Sequence, residues 1–226
     1  MRLYERYRPE RLEDVLGQSA VTALQQFACE PYPNILIMEG DSGTGKTCAA
    51  MILSELLGCQ DWFGSSVYKI NGADLTVDAA RSWFDPNTSP FRYRLGDKWH
   101  VLRIEELEWV SPACQRYLKE ALEEVQRRYR VIVIATSNDA SKLVLPLRHR
   151  FKPFTFTSGP SFADAINNWL PMIWYTELGQ AIDLPYGYDT FGWYTEDGRE
   201  KFSARLALNR LEHYLALERA ERMVAA

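Results

Sequence analysis

One glycine-rich run has the residue types that bind phosphate groups. It fits the pattern GxxxxGK[ST] at Gly40, Asp41, Ser42, Gly43, Thr44, Gly45, Lys46 and Thr47. Glycines let backbone N–H groups turn inward around a phosphate, and the following helix adds the positive end of its dipole. In such a loop the lysine reaches the β- and γ-phosphates and the Thr hydroxyl ligates Mg²⁺. The run therefore predicts binding of ATP with Mg²⁺.

Two carboxylates follow an apolar run, and an amide follows another. Glu105 and Glu106 come directly after residues 99–104, and Asn138 comes after residues 131–136. We predict that Glu105 holds Mg²⁺ through water, that Glu106 is the general base for the lytic water, and that Asn138 contacts the γ-phosphate or that water. The alternatives are a solvated acidic loop, since Glu108 follows, and an ordinary asparagine turn. The glycine-rich run favours the functional interpretation.

The elements that must position these groups alternate along the chain. Short apolar runs predict strands over 34–39, 67–70, 99–104 and 131–136, with a weaker fifth over 154–156. Helical patterns lie between them, over 46–57, 77–83 and 112–125. This alternation predicts an α/β fold with a parallel five-stranded sheet flanked by helices, the P-loop nucleotide-binding architecture.

The pattern changes after residues 157–160, so we predict an α/β domain over 1–157 and a small helical lid over 158–226. Helical patterns cover 162–173 and 201–223. The segment 185–198 between them is rich in aromatic residues and glycine. Its rings either pack on their own lid or form a surface for a partner.

Composition limits the classes of function. The chain has 226 residues and a formal net charge of −4, which excludes a uniformly basic coat for nucleic acid, so any DNA contact must be local. Its four cysteines and three histidines are scattered, which favours a reducing compartment and gives no reason to assign a structural metal. The charged first 15 residues are unlike a signal peptide, and no apolar run is long enough to span a membrane. We therefore expect a cytoplasmic, nucleoid-associated protein, or a nuclear one in a eukaryote, without membrane contact.

The order of the motifs resembles a known family. Six motifs follow one another as in the small ATPase subunits of sliding-clamp loaders. They are residues 7–18, the glycine-rich run, residues 71–74, the segment after residue 104, ATSN at 135–138 and LRHRF at 147–151. These belong to the AAA+ superfamily and include replication factor C small subunits and phage clamp-loader ATPases. The resemblance runs from about residue 4 to 157 and resumes at 202–212.

The resemblance implies roles for further residues. Arg8, Val15 and Gly17 would border the adenine pocket, and Asn138 matches the position called sensor 1. Arg150 matches the arginine finger that a subunit presents to ATP bound by its neighbour, although the family usually has Ser-Arg-Cys where this chain has His-Arg-Phe. Arg205 matches the lid arginine called sensor 2. For both arginines the alternative is ordinary surface charge.

DNA contact in the family runs through helices that face the inner channel of the ring. The matching positions are Arg81, Arg116 and Lys119, which would contact phosphates without reading bases. The alternative is an ordinary exposed helix face.

Three departures from the family pattern bear on function. The magnesium-side acid is Glu105 where the family usually has Asp, and the extra methylene can shift the metal or slow turnover. Arg103 lies inside an otherwise apolar strand and must reach solvent or pair with an acid. The family also carries a helical collar domain, which we do not expect within these 226 residues.

The sequence thus predicts a clamp-loader-like AAA+ ATPase that hydrolyses ATP at subunit interfaces. Its expected partners are other subunits of that type, a sliding clamp and primed DNA. Two alternatives remain: an ATP-binding subunit that hydrolyses weakly and acts as a switch in a larger complex, and an AAA+ DNA motor such as a branch-migration helicase.

Overall fold

The computed structural model describes residues 1–58, 60–61, 64–85, 87–92, 99–179 and 184–225. They divide into two compact units. The α/β unit comprises Ala20–Gly40 and Lys46–Phe156, and the helical unit comprises Met1–Ser19, Asp41–Gly45 and Thr157–Ala226. In chain order the helices and strands are α1 (Leu3–Arg6), α2 (Ala20–Cys29), β1 (Ile35–Gly40), α3 (Lys46–Leu57), β2 (Gln60–Asp61), β3 (Gly64–Ser65), β4 (Val67–Asn71), α4 (Val77–Phe84), β5 (His100–Glu105), α5 (Pro112–Arg128), β6 (Val131–Ser137), α6 (Leu145–Arg148), β7 (Lys152–Phe156), α7 (Pro160–Asn167), α8 (Leu170–Leu178), β8 (Trp193–Glu196), β9 (Arg199–Phe202) and α9 (Ala204–Ala225).

The α/β unit is built on a five-stranded sheet in the order β4-β5-β6-β1-β7, and every pair of neighbours is parallel. The central strands β1 and β6 are buried on both faces, because continuous apolar runs suit a sheet covered by helices on both sides. The predicted α/β class and five-stranded parallel sheet are confirmed.

The side chains of β5 alternate between the two faces of this sheet. Leu102 and Ile104 join the core formed with α4 and α5. Arg103 and Glu105 therefore point to the opposite face, where α3 packs against β5 and β6. That arrangement places a charged pair on the same side of the sheet as the helix that follows the glycine-rich loop.

The helical unit has a separate core, which includes Leu3, Phe162, Trp174, Phe202 and Leu211. The N-terminal segment thus packs with this unit, whereas the sequence prediction placed it in a domain over 1–157. The physical reason is the apolar side of that short segment, which Leu3 anchors in the helical core. The last segment of the helical unit begins at Thr157.

Two predicted helices of this region have different bounds in the structure. The helix predicted over 162–173 is divided into α7 and α8, because Pro171 has no N–H with which to continue the hydrogen bonds of α7. The helix predicted over 201–223 begins only at Ala204. Lys201 instead lies in strand β9, which the sequence analysis did not predict.

Strands β8 and β9 form a hairpin with a two-residue turn at Asp197 and Gly198, both with positive φ. An Asp-Gly pair is a strong hairpin signal because both residues must adopt left-handed backbone. Phe191 and Trp193 of the aromatic segment pack into the helical core, so for these two rings the structure shows the alternative in which they pack on their own lid. Tyr186 is fully exposed.

Two further observations concern the cysteines and the possibility of membrane-spanning helices. Among the described residues, Cys29, Cys48 and Cys114 form no disulfide, and Cys59 lies outside that part of the chain. Within the part of the chain that the structure describes, no helix has the length and apolar character needed to cross a membrane.

Candidate active site

The glycine-rich loop joins the carboxyl end of β1 to the first residue of α3. Gly40, Gly43 and Gly45 have φ of 139°, 78° and 98°, a region that residues with a side chain rarely adopt. A Cβ at Gly40 would also collide with the carbonyl oxygen of Phe156. The glycines are therefore required by the backbone path of the loop, which is the property expected of a phosphate cradle.

The two residues that end the loop belong to the first turn of α3. The Lys46 side chain is buried, whereas Thr47 is exposed. Backbone N–H groups of a first helical turn have no partner within the helix, so this end of α3 can donate hydrogen bonds to an anion. Their assigned roles toward phosphate and magnesium stay predictions.

Glu106 occupies a turn that the surrounding residues hold in an unusual conformation. Its φ and ψ are 55° and 52°, left-handed backbone that is uncommon for a residue with a side chain. Its N–H donates to the hydroxyl of Thr136 at 3.2 Å, and Asn71 Nδ2 donates to its Oε2 at 3.2 Å. Gly72 leaves room for it, since a Cβ there would collide with the Glu106 carbonyl oxygen. The carboxylate is thus positioned at the edge of the sheet by the neighbouring strands β4 and β6.

Asn138 follows β6 at the same edge of the sheet. Its backbone N–H and its Nδ2 both donate to Oε1 of Glu108, each at 3.0 Å. Glu108 is 7% exposed, and its Oε2 has no hydrogen-bond partner among the described residues. Glu108 therefore fixes the orientation of the Asn138 amide, with the Asn138 carbonyl oxygen left to accept a bond from a ligand or water.

The residues predicted to hold magnesium fit that ion in their donor types. Thr47 offers an exposed hydroxyl, and Glu105 Oε1 is a buried oxygen without a hydrogen-bond donor, so it can accept a bond from a metal-bound water. The same carboxylate has cationic neighbours, because Lys69 Nζ lies 3.1 Å from Oε2 and Arg103 Nε lies 3.3 Å from Oε1. The prediction that Arg103 must reach solvent or pair with an acid is therefore resolved as pairing.

Arg150, the predicted arginine finger, lies after α6 and forms an ion pair with Glu123 of α5. Its side chain is 36% exposed, so the guanidinium is at the surface of the α/β unit. Close by in sequence, Arg148 lies 3.5 Å from Glu39 at the end of β1. A phosphate on another molecule would therefore compete with Glu123 for the Arg150 guanidinium.

In the helical unit, Asp41 of the loop is held by two side chains. Ser158 Oγ donates to Asp41 Oδ2 at 2.6 Å, and Lys201 Nζ lies 2.6 Å from Oδ1 and 2.9 Å from Glu196 Oε2. Hydrogen bonds to Asp41 first and to Glu196 second raise the pKa of Lys201 above its ordinary value. The β8–β9 hairpin thus fixes the start of the glycine-rich loop within this unit.

The remaining loop residues have neighbours near the start of α9. The Gly43 carbonyl accepts a hydrogen bond from Ala204 N–H at 3.1 Å, and a Cβ on Gly43 would collide with Ser203. Arg205, the predicted sensor 2, is the next residue of α9 and is exposed, with its guanidinium 6.0 Å from the centre of the Tyr4 ring. Arg205 is therefore the direct sequence neighbour of Ala204, which contacts the loop.

The residues predicted to border the adenine pocket also lie in the helical unit. Val15 is buried beside Gly45, Gly17 is exposed with φ of 66°, and Arg8 is exposed. Gln18 is joined to the backbone of Thr157 by two hydrogen bonds of 2.9 Å each. Val15 is thus in contact with the loop, and the adenine roles of all three predicted residues stay predictions.

The three predicted DNA contacts lie on α4 and α5, which pack against each other. Arg81 pairs with Asp78 at 3.1 Å and lies 5.9 Å from the centre of the Tyr117 ring. Arg116 is exposed, and Lys119 lies 3.6 Å from Glu120. Of the three basic residues on these helices, Arg81 thus lies near an acid and an aromatic ring, and Lys119 lies near an acid.

Comparison with known proteins decides the family. Residues 36–158, more than half of the chain, match the ATPase family associated with various cellular activities (AAA). This chain belongs to the AAA family. Nucleotide binding by the chain follows from that membership, and the glycine-rich loop, the acidic turn and Asn138 all fall within the matched residues.

Relatives of this AAA protein include replication factor C subunits. It is 30% identical over 155 residues to the replication factor C small subunit of Halobacterium salinarum, with 67% of this chain and 46% of the relative covered. It is 30% identical over 162 residues to replication factor C subunit 3 of Saccharomyces cerevisiae, with coverage of 70% and 46%. The chain thus spans just under half the length of these relatives.

A solved structure supports the fold. The Holliday junction branch migration motor RuvB of Thermotoga maritima superposes with a TM-score of 0.63 at 18% identity, over 91% of this chain and 64% of that one. At this identity the likeness shows a shared fold and carries no argument about activity.

Sequence reasoning missed three residues that hold the AAA site in place: Asn71, Thr136 and Glu108. Each is a polar residue at or just beyond the carboxyl end of a parallel strand, and that position was the available signal. Asn71 was part of the family resemblance but received no role. Their partners became visible only with the register of β4, β5 and β6.

Proposed function

We propose that this chain binds ATP through Gly40–Thr47 and hydrolyses it with Glu106 as general base. The observation that carries the proposal is the position of Glu106, which hydrogen bonds to Asn71 and Thr136 hold in left-handed backbone. A carboxylate at a fixed position with a fixed orientation is what general-base catalysis requires.

The proposed reaction is an in-line attack of water on the γ-phosphorus. Glu106 accepts a proton from the water as its oxygen forms a bond to phosphorus, and the bond from phosphorus to the β,γ-bridging oxygen breaks, with its electron pair leaving on ADP. Lys46 and the loop N–H groups stabilise the phosphate charge, and Asn138 orients the water or the γ-phosphate through the oxygen that Glu108 leaves free. Magnesium, when bound, adds neutralisation of phosphate oxygens, and Thr47 and Glu105 would hold it.

We further propose that turnover requires a second subunit. The similarity to replication factor C subunits supports an oligomeric, clamp-loader-like assembly that acts on a sliding clamp and on primed DNA. Arg150 would act on ATP of the neighbouring subunit, and Arg205 on ATP of its own. Arg81, Arg116 and Lys119 would contact the DNA backbone, so their effect should weaken with salt.

A second candidate is an ATP-binding subunit that hydrolyses weakly and acts as a switch. The ion pairs of Arg150 with Glu123 and of Glu105 with two cations favour it, because the predicted arginine finger and the predicted magnesium-side acid both have charged partners within this chain. Rapid multiple turnover by the assembled complex excludes this candidate. Tight ATP binding without turnover in the same complex supports it.

The test compares ATP binding and turnover in the wild type, Glu106→Gln and Lys46→Ala. We expect Glu106→Gln to keep its ATP affinity and to lose turnover by about 10²–10⁴-fold, the usual contribution of a general base. Lys46→Ala should lose ATP affinity. Equal turnover in the wild type and Glu106→Gln would exclude Glu106 as the base, whatever the assembly state.

A further inference from the structure

Glu177 of α8 anchors the N-terminal segment, which we define as residues 1–19. Its side chain is only 5% exposed. Arg6 Nη1 donates to Glu177 Oε1 at 2.6 Å, and the Tyr7 hydroxyl donates to the same oxygen at 3.0 Å. Arg219 of α9 donates to Oε2 at 2.8 Å. One buried carboxylate thus joins the N-terminal segment to two helices of the helical unit.

The environment of this carboxylate makes its bonds strong. Hydrogen bonds to an ionised acceptor are shorter and stronger than those between neutral groups, and burial removes the water that would compete for them. The Tyr7 ring also packs edge-on against Trp169, with 5.8 Å between the ring centres. The position of Tyr7, and of Arg8 that follows it, therefore depends on the Glu177 carboxylate.

A second pair of bonds fixes the other end of the segment. Gln18 Nε2 donates to the Thr157 carbonyl and Gln18 Oε1 accepts from the Thr157 N–H, each at 2.9 Å. Next to it, a Cβ on Gly17 would come within 2.9 Å of the Ala165 Cβ, so the backbone there packs closely against α7. Residues 8–17 thus lie between two fixed points.

The N-terminal segment also reaches residues with predicted roles toward the nucleotide. A Cβ on Gly45 of the glycine-rich loop would lie 3.0 Å from Val15 Cγ1. The guanidinium of Arg205 lies 6.0 Å from the centre of the Tyr4 ring. A nucleotide whose phosphates occupy the loop extends beyond it, so a segment that touches the loop is in position to contact the nucleoside.

We propose that Glu177 is a positioning residue for recognition of the adenine base. It acts through Arg6 and Tyr7, which keep residues 8–17 where they contact the base. Without the carboxylate the segment would occupy this position in only a fraction of the molecules, and the apparent dissociation constant rises as that fraction falls. The phosphate contacts of the loop are the same for every nucleoside triphosphate, so the loss falls on discrimination between bases. The proposal rests on the proposed binding of ATP.

The test measures dissociation constants of the full chain for non-hydrolysable analogues of ATP and GTP that carry a fluorescent label on the ribose. The readout is the GTP-to-ATP ratio of these constants, which a general loss of stability leaves unchanged because it raises both alike. We expect a ratio of about tenfold or more in the wild type and below about threefold in Glu177→Gln, because molecules with a displaced segment bind both analogues equally. A wild-type ratio near one would overturn the proposal.

Two further variants test the cause. Tyr7→Phe removes the hydroxyl that donates to Glu177 and keeps the ring against Trp169, so its ratio should lie between those of the wild type and Glu177→Gln. Glu218→Gln is the matched control, because it breaks an ion pair with Arg222, 3.3 Å long, within α9, and it should keep the wild-type ratio. A wild-type ratio in Glu177→Gln or in Tyr7→Phe would overturn the proposal.

The design separates this inference from the proposed function. A wild-type chain that gives no saturable signal with either analogue contradicts the proposed binding of ATP. Saturable binding with the same ratio in the wild type and in the variants of Glu177 and Tyr7 contradicts the inference alone. Tyr7→Phe keeps the buried carboxylate and its two arginines, so it decides the matter even where Glu177→Gln does not fold.

Discussion

The left-handed backbone of Glu106 makes a prediction about stability that is separate from activity. Left-handed backbone costs a residue with a Cβ about 1–2 kcal/mol of conformational free energy, because the Cβ approaches the following carbonyl oxygen. Glycine avoids that cost, but it gives the unfolded chain more conformational freedom, which lowers the free energy of unfolding by about 0.4–1 kcal/mol. The difference predicts that Glu106→Gly has a free energy of unfolding about 0.5–1 kcal/mol above that of Glu106→Ala.

The comparison of these two variants isolates the backbone effect. Both remove the carboxylate that accepts the bond from Asn71, and both keep the N–H that donates to Thr136. Urea unfolding followed by tryptophan fluorescence measures the difference, with the slope m checked for constancy. Neither variant should hydrolyse ATP. A free energy of unfolding for Glu106→Gly equal to or below that of Glu106→Ala would refute the claim that this turn is strained.

Three further predictions concern residues around the site. Asn71→Asp keeps the oxygen that accepts from Ala73 but replaces the donor to Glu106 with a like charge, so kcat should fall by about tenfold or more at unchanged ATP affinity, measured by steady-state turnover and titration. Lys201→Met should lower the free energy of unfolding by about 1–3 kcal/mol near neutral pH, because Asp41 and Glu196 lose a charged donor. The pKa of Lys201 is raised in the folded protein, so the stability that Lys201 contributes is fully present below its unfolded pKa and is lost only in strongly alkaline solution. Burial tends to raise the pKa of Glu177, but hydrogen bonds from Arg6, Arg219 and Tyr7 hold it below its ordinary value. The stability that Glu177 contributes should therefore be present above the unfolded pKa of about 4.3 and be lost as the pH falls through the folded pKa. In Glu177→Gln the free energy of unfolding, measured by urea unfolding, should decrease less between neutral and acid pH than in the wild type.

The sheet and the loop were predictable from local pattern. Runs such as residues 131–136 are apolar without alternation, which is typical of a strand buried on both faces, and the loop glycines stand where the backbone requires positive φ. These signals lie within a few neighbouring residues. They therefore need no knowledge of tertiary contacts.

The partners of the site residues depended on contacts between distant parts of the chain. The bonds of Glu106 to Asn71 and Thr136 follow from strand order and register, which composition does not encode. The hairpin at Asp197 and Gly198 had a local signal, but helical periodicity over 201–223 obscured it. For Arg103 the sequence left two alternatives, solvent or an acid, because it does not show how deeply the side chain is buried; the structure shows the ion pair with Glu105.

The most direct test of the central claim is ATP turnover by the purified full chain, with and without primed DNA, in the wild type and Glu106→Gln. We expect turnover in the wild type that rises with protein concentration, because Arg150 is proposed to act on a neighbouring subunit, and ATP binding without turnover in the variant. Turnover in Glu106→Gln at the wild-type rate would exclude Glu106 as the general base, and no ATP binding by either protein would exclude the proposed nucleotide site.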